Sequence, residues 1–343
     1  MNLAKKVSPF YYLLLFYVSV SFIIRVILFF HPITQTTFAW VDTLSLFLFG
    51  FLSDFFIFIL VTGFLWLYLI FISNSKYYKP YGYIIFGLFV SLLLYISFGN
   101  TMLNEYGSAL PKIAIIFLSI KTILFGLLLF LPKYRNKIRF WLFSFVIFLY
   151  VILILQNGIS EYFFWNEFGV RYNFIAVNYL IYTNEVIGNI MESYPVIPIF
   201  SALFIVAGVV TFYIVKKSKV YIESIPNFVE KMKISGIYIL LFGLSLFSIP
   251  ALAVKENAQN IFANELQANG VYKFYLAFMN SELDYFKFYK TVPNSEAYAQ
   301  LQQQLPSISG ETTLRQIKGE AAENHKNVVL ITIESRSEER RVG

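Results

Sequence analysis

Glu334 follows six consecutive aliphatic or β-branched residues, Val328 to Ile333. An unbroken apolar run of this kind, without alternation, reads as a strand buried on both faces, as at the centre of a parallel α/β sheet. A carboxylate directly after such a strand stands at its C-terminal edge, where open α/β sheets hold ligands. Its oxygens suit a hard or borderline divalent cation. The chain has no cysteine and only two histidines, His31 and His325. Disulfides, thiolate metal sites and a histidine cluster are therefore excluded.

Three other groups carry charge where charge is expensive. Arg25, Asp54 and Lys121 interrupt long apolar stretches. Arg25 and Asp54 fall at comparable depth in successive stretches, so they can form a structural pair that pins two helices, or alternatively line an ion or proton path. Lys121 can snorkel to an interface. Residues 161–193 are rich in aromatics and hold one basic residue, Arg171. One reading is an interfacial aromatic belt. The other is a cradle for a lipid headgroup, with Arg171 on a phosphate and Glu167, Asn173 and Asn178 on hydroxyls.

The elements that must position these groups are membrane helices. Apolar residues make up 58% of the chain and charged residues 14%, against about 45–50% and 25% in soluble domains. The excess is concentrated in stretches of about 20 residues, long enough to cross a hydrocarbon core as helices. Seven spans are predicted: 10–31, 44–73, 81–98, 111–131, 140–161, 195–215 and 234–254. The stretch 44–73 exceeds one bilayer thickness, which implies tilt or a re-entrant turn. Omitting 81–98 and 111–131 as a pair would leave five spans. The net charge of +7 points to membrane topology and not to nucleic acid. Lys5, Lys6, Lys76, Lys79, Lys133, Arg135, Lys137, Arg139, Lys216, Lys217, Lys219, Lys231 and Lys233 fall in alternate loops. Those loops, and the N-terminus, are expected in the cytoplasm, and the chain beyond residue 254 outside it.

Composition turns polar at Lys255. Tyr272, Tyr275, Leu276, Met279, Leu283, Phe286 and Tyr289 recur every three or four residues, one face of an amphipathic helix. Pro293 and Pro306 mark breaks. The predicted organisation is a transmembrane helical domain (1–254), an extracytoplasmic helical stalk (255–326) and a first β-strand (327–335).

Two stretches resemble a known family. The loop FFWNEFGVRYNFIAVNYLIYTNEVIGNIMESYP and the run ELQANGVYKFYLAFMNSELDYFKFY followed by NVVLITIES look like the corresponding parts of the lipoteichoic acid synthase and phosphoglycerol transferase family. The similarity covers most of residues 155–335. That resemblance implies a sulfatase-like extracytoplasmic domain of the alkaline-phosphatase superfamily, of which 327–335 is the first strand. It implies Glu334 as a ligand of a divalent metal (Mn, Mg or Zn). It further implies a phosphatidylglycerol-like lipid donor, a glycan or glycolipid acceptor, and a place in a bacterial cytoplasmic membrane. Thr332 lies two residues before Glu334 and does not match the family's threonine nucleophile. No catalytic residue is therefore assigned, and one carboxylate is too few to hold a catalytic metal. Residues 336–343, RSEERRVG, look like the translation of an adapter read-through and are set aside. On this expectation the chain is an inactive fragment of a larger enzyme. The alternative is a polytopic transporter, channel or membrane scaffold.

Overall fold

The computed structural model describes residues 8–72, 74–99, 101–106, 109–223, 228–255, 260–280, 291–305, 312–314, 327 and 329–332. The chain divides into two compact units, Met1–Ser281 and Glu282–Gly343. The first contains helices α1 (Ser8–Phe29), α2 (Trp40–Val61), α3 (Gly63–Ile70), α4 (Tyr81–Phe98), α5 (Ala109–Phe130), α6 (Arg135–Phe168), α7 (Phe174–Ile181), α8 (Thr183–Ser193), α9 (Val196–Glu223), α10 (Phe228–Ala253), α11 (Ile261–Gln267) and α12 (Gly270–Met279). The second contains α13 (Asn294–Gln304). Among the described residues seven helices are long and apolar enough to cross a membrane: α1, α2, α4, α5, α6, α9 and α10. The chain is a multi-pass helical protein on that criterion.

Five of these helices share one interior. α6 packs on α1 and α9, α10 packs on α2, and α1 touches α2 and α9. Leu13, Phe58, Phe143, Ile147, Val151 and Ala207 fill the space between them. The outward faces are equally apolar, with Phe64, Ile239 and Phe247 exposed. Lipid tails are as apolar as those side chains, so such faces need no protein cover. α4 and α5 form a peripheral hairpin: they pack on each other, α5 also touches α6, and on α4 only Gly82 is buried.

The long apolar stretch predicted at 44–73 does not run as one helix. α2 begins at Trp40 and breaks at Thr62, where α3 takes over. Thr62 turns its hydroxyl back to the Phe58 carbonyl at 2.5 Å, a contact that bends helices. The Ile59 carbonyl instead accepts from the Tyr238 hydroxyl of α10 at 2.7 Å. A side chain thus satisfies a backbone group that lipid cannot. Tyr238 also stacks on Trp66, with centroids 4.4 Å apart.

The segment expected as a loop from Glu161 is helical for most of its length. α6 continues to Phe168 and stops at Gly169, whose φ of 65° is the left-handed conformation that ends helices. α7 begins five residues after that cap, and α8 follows after a single residue, Tyr182.

Of the strand expected at 327–335, only Asn327 and residues 329–332 are among the described residues. Asn327 and residues 329–332 carry no strand, and Val329, Leu330 and Ile331 are exposed. A strand is stable only within a sheet, and no strand stands among the described residues to pair with it. Glu334 and residues 336–343 lie outside the described residues, as do Leu283, Phe286 and Tyr289 of the expected amphipathic face.

Candidate functional site

Arg25 on α1 reaches across α2 through a gap left by Gly50. A Cβ on that glycine would stand 2.6 Å from the guanidinium. The gap lets Arg25 meet Asp54, with Nη1 donating to Oδ2 at 2.8 Å and Nη2 to Oδ1 at 3.2 Å. Both side chains are almost wholly buried. Nε donates to the Leu266 carbonyl of α11 at 2.8 Å. Asn269 adds two more bonds: its Nδ2 donates to Asp54 Oδ1 at 2.7 Å and to the Tyr17 hydroxyl at 2.9 Å. Its Oδ1 meanwhile caps α12 by accepting from the Tyr272 amide at 3.2 Å. The charges are neutralised, and each guanidinium nitrogen and each carboxylate oxygen has a hydrogen-bond partner, as a buried pair requires. The product is a joint between α1, α2 and the α11–α12 turn.

A second joint sits on the far side of that turn. Arg171, between α6 and α7, is 3% exposed. Its Nη1 is ion-paired with Glu161 of α6, its Nε donates to the Glu265 carbonyl at 2.9 Å, and its amide donates to Glu265 Oε2 at 3.0 Å. Glu161 also accepts from Asn157 Nδ2 at 2.7 Å. It lies so close to Gly270 that a Cβ there would collide with it. Lys273 of α12 pairs with Glu265 at 3.3 Å. Tyr172 donates to the Asn157 carbonyl at 3.3 Å. Burial, and then the nearby Glu161 carboxylate, push its phenol well above the ordinary value, so it stays a neutral donor.

The other residues singled out from the sequence do not converge on one point. Asn173 caps α7, accepting from the Ile175 amide at 2.9 Å. Glu167 accepts from the Tyr194 hydroxyl at 2.5 Å. Lys121 is exposed on α5, with its Nζ over the Phe117 ring at 5.6 Å. Among the described residues no group of three or more His, Asp and Glu side chains is placed to hold a metal.

Between the far half of α6, the α7–α8 pair, the first turns of α9 and one face of α12 lies a cavity of about 1220 Å³. Pockets for small molecules run to about 300–1,000 Å³, so this one is large. Leu153, Phe164, Ala176, Phe200, Leu203 and Phe274 are among its walls. Exposed apolar side chains at its edge, Leu153, Leu180 and Met191, open it to the flank of the bundle. Among the described residues that line it, Glu167 is the one charged side chain.

Against family models, curated proteins and solved structures, the chain matches none.

Sequence reasoning missed Asn269, Leu266, Glu161 and Glu265, which complete the two joints. Asn269 was in part readable: Asn-Gly ahead of an apolar run is a helix start, with Asn as the cap. Leu266 acts through its backbone carbonyl and leaves no residue-type signal. What the arrangement does chemically is to hold: it fixes α11 and α12 on one end of the bundle, beside an apolar cavity whose wall they complete with Val271 and Phe274.

Proposed function

We propose that this chain is the membrane-embedded part of an extracytoplasmic, metal-dependent enzyme. It would move a phosphoglycerol or related phospho-headgroup from a membrane lipid to a glycan or glycolipid. The observation that carries the reading is the docking of residues 260–279. Arg25 and Arg171 bolt this segment to the end of the bundle where α1 turns into α2, and Asn260 adds a bond to Thr36 Oγ1 at 3.0 Å. The basic link residues gather at the other end, where Arg139 bonds Asn74 Oδ1 at 2.7 Å and Arg135 bonds the Leu128 carbonyl at 2.7 Å. With the basic end taken as cytoplasmic, the docked segment is the external platform from which the chain runs on towards Glu334. That segment and the α6–α8 region are the stretches that resemble the lipoteichoic acid synthase family.

The reading requires a nucleophile and further metal ligands from residues beyond Gly343. A transporter reading would draw on Arg25, Asp54 and Lys121, and it is weakened because Arg25 and Asp54 bind each other. The test is headgroup transfer by the gene product extended through its downstream coding sequence. It is reconstituted with phosphatidylglycerol carrying a fluorescent acyl chain. Release of fluorescent diacylglycerol with Mn, its loss on chelation and its loss in Glu334→Ala are expected. No release with Mn, Mg or Zn in protein that inserts normally would overturn the proposal.

A further inference from the structure

We propose that the basic end of the bundle, where the α3–α4 and α5–α6 links come together beside the first turn of α10, binds an anionic lipid headgroup that carries two phosphates. The site lies at the opposite end of the bundle from the docked segment 260–279 and stands whether or not the catalytic reading holds. Three observations argue for it.

The first is charge without a counter-ion. Lys76 Nζ donates to the Phe71 carbonyl at 2.7 Å. Arg139 donates to the next carbonyl, that of Ile72, and to Asn74 Oδ1 at 2.7 Å. Arg135 donates to the carbonyls of Leu128 and Leu129 at 2.7 and 3.3 Å. All of these acceptors are neutral, and the two links contain no Asp or Glu. Among the described residues none of the three cations forms an ion pair. The carbonyls they cover close the ends of α3 and α5. Two helix ends supply about half a negative charge each, so roughly two positive charges stay unmatched.

The second is convergence. Lys76 Nζ and the Arg135 guanidinium stand 5.2 and 5.4 Å from the centre of one ring, that of Tyr77. Burial, and then repulsion from Arg139, Lys121 and Lys231, lower the Lys76 pKa to about 8. Glu230, beside Lys231 in the first turn of α10, is not among the groups that act on Lys76. Cations crowded in this way repel one another, and a bound anion relieves that repulsion.

The third is depth. The cluster stands where α5 ends and α4, α6 and α10 begin, four helices long and apolar enough to span a membrane. Headgroups lie at the level of such ends. Tyr78, Tyr81, Tyr83 and Tyr134 are exposed there, and tyrosine favours headgroup depth. Lys79 and Lys133 lie over the rings of Tyr83 and Tyr134 at 5.4 and 5.9 Å. With the basic end taken as cytoplasmic, the facing leaflet supplies anionic headgroups, and basic pockets between helices on that side bind them. A headgroup with two phosphates matches the unmatched charge, whereas one phosphate leaves part of it.

The experiment places the chain in phosphatidylcholine nanodiscs with or without cardiolipin and follows amine acylation at Lys76 against pH by mass spectrometry. In phosphatidylcholine alone the midpoint is expected near 8. Cardiolipin should raise it by about one pH unit, as an opposite charge close by does. Phosphatidylglycerol at matched phosphate should raise it less. Lys76→Gln combined with Lys231→Gln should weaken cardiolipin retention, read by native mass spectrometry, by about fivefold or more. Lys216→Gln combined with Lys217→Gln removes the same charge from exposed positions on α9 and should weaken it less than about twofold. Should the variants misfold, the midpoint in the unaltered chain still decides. A midpoint that cardiolipin does not move, or equal losses in the two variants, would overturn the site. Equal shifts by the two anionic lipids would overturn the two-phosphate headgroup. Pyrophosphate moving the midpoint in phosphatidylcholine discs as far as cardiolipin does would assign the cluster to a soluble anion and overturn the lipid.

Discussion

Arg25 donates its Nε proton to the carbonyl of Leu266, 2.8 Å away and 241 residues further along the chain. The same guanidinium holds Asp54 on α2, so one side chain joins the first two membrane helices to the segment that follows the last one. Removing either partner leaves the other charge buried without a counter-ion, at a cost of about 3–5 kcal/mol. Arg25→Met and Asp54→Leu are each expected to destabilise by that order. The double variant should lose less than the two singles combined. Thermal denaturation of the purified protein, followed as a double-mutant cycle, checks the coupling. Strict additivity would contradict it.

The two glycines that make room for buried charges give a steric version of the same test. Gly50 faces the Arg25 guanidinium and Gly270 faces Glu161, whereas a Cβ on Gly87 or Gly188 would meet nothing within 4 Å. Gly50→Leu and Gly270→Ala are expected to expose residues 260–280 to protease and to lower the melting temperature. Gly87→Leu and Gly188→Ala should leave both close to wild type. Equal effects at all four positions would count against the joints.

Much of the frame was readable from hydropathy alone. The seven apolar stretches correspond to α1, α2, α4, α5, α6, α9 and α10, because a bilayer-length apolar run has few ways to satisfy its backbone except as a helix. The breaks were not readable. Thr62 ends α2 through a hydroxyl-to-carbonyl bond and a tyrosine from another helix, and neither shows in the local pattern. Gly169 was a visible stop signal that the aromatic richness around it obscured. Arg25 and Asp54 stood out because charge inside an apolar run is rare. Their third and fourth partners, a backbone carbonyl and an asparagine far along the chain, could come only from coordinates. The cavity was equally out of reach, since it is a property of how four elements fail to meet.

Arg171 offers a sharper test of its role. Sequence alone allows it to hold a lipid phosphate, whereas the structure engages its Nη1, Nε and backbone amide inside the protein. Arg171→Ala is expected to destabilise by about 3–5 kcal/mol, because Glu161 is left buried and unpaired. Adding Glu161→Gln should restore part of that loss by removing the orphaned charge. A variant with unchanged stability would favour the headgroup role instead.

Lys76, in the link between α3 and α4, donates to the Phe71 carbonyl at 2.7 Å. Burial, followed by repulsion from Arg139, Lys121 and Lys231, lowers its pKa from 10.5 to about 8. Between those two values the folded protein binds fewer protons at this site than the unfolded chain. Lys76 therefore makes stability rise with pH across that window, and a protonated Lys76 opposes folding below it. Amine acylation at Lys76, quantified by mass spectrometry, should be half-maximal near pH 8, and Arg139→Gln should move the midpoint upward. A midpoint near 10.5 in the unaltered chain would show that the amine is solvated.

The most direct test concerns sides. The chain lacks cysteine, so single cysteines report without background. Cysteine is placed at Gln300, on α13, or at Lys137, in the basic first turn of α6, and intact cells are exposed to a membrane-impermeant maleimide. Gln300→Cys is expected to label at once and Lys137→Cys only after permeabilisation. The reverse order would put the docked platform and everything after it in the cytoplasm, and the extracytoplasmic account would fall.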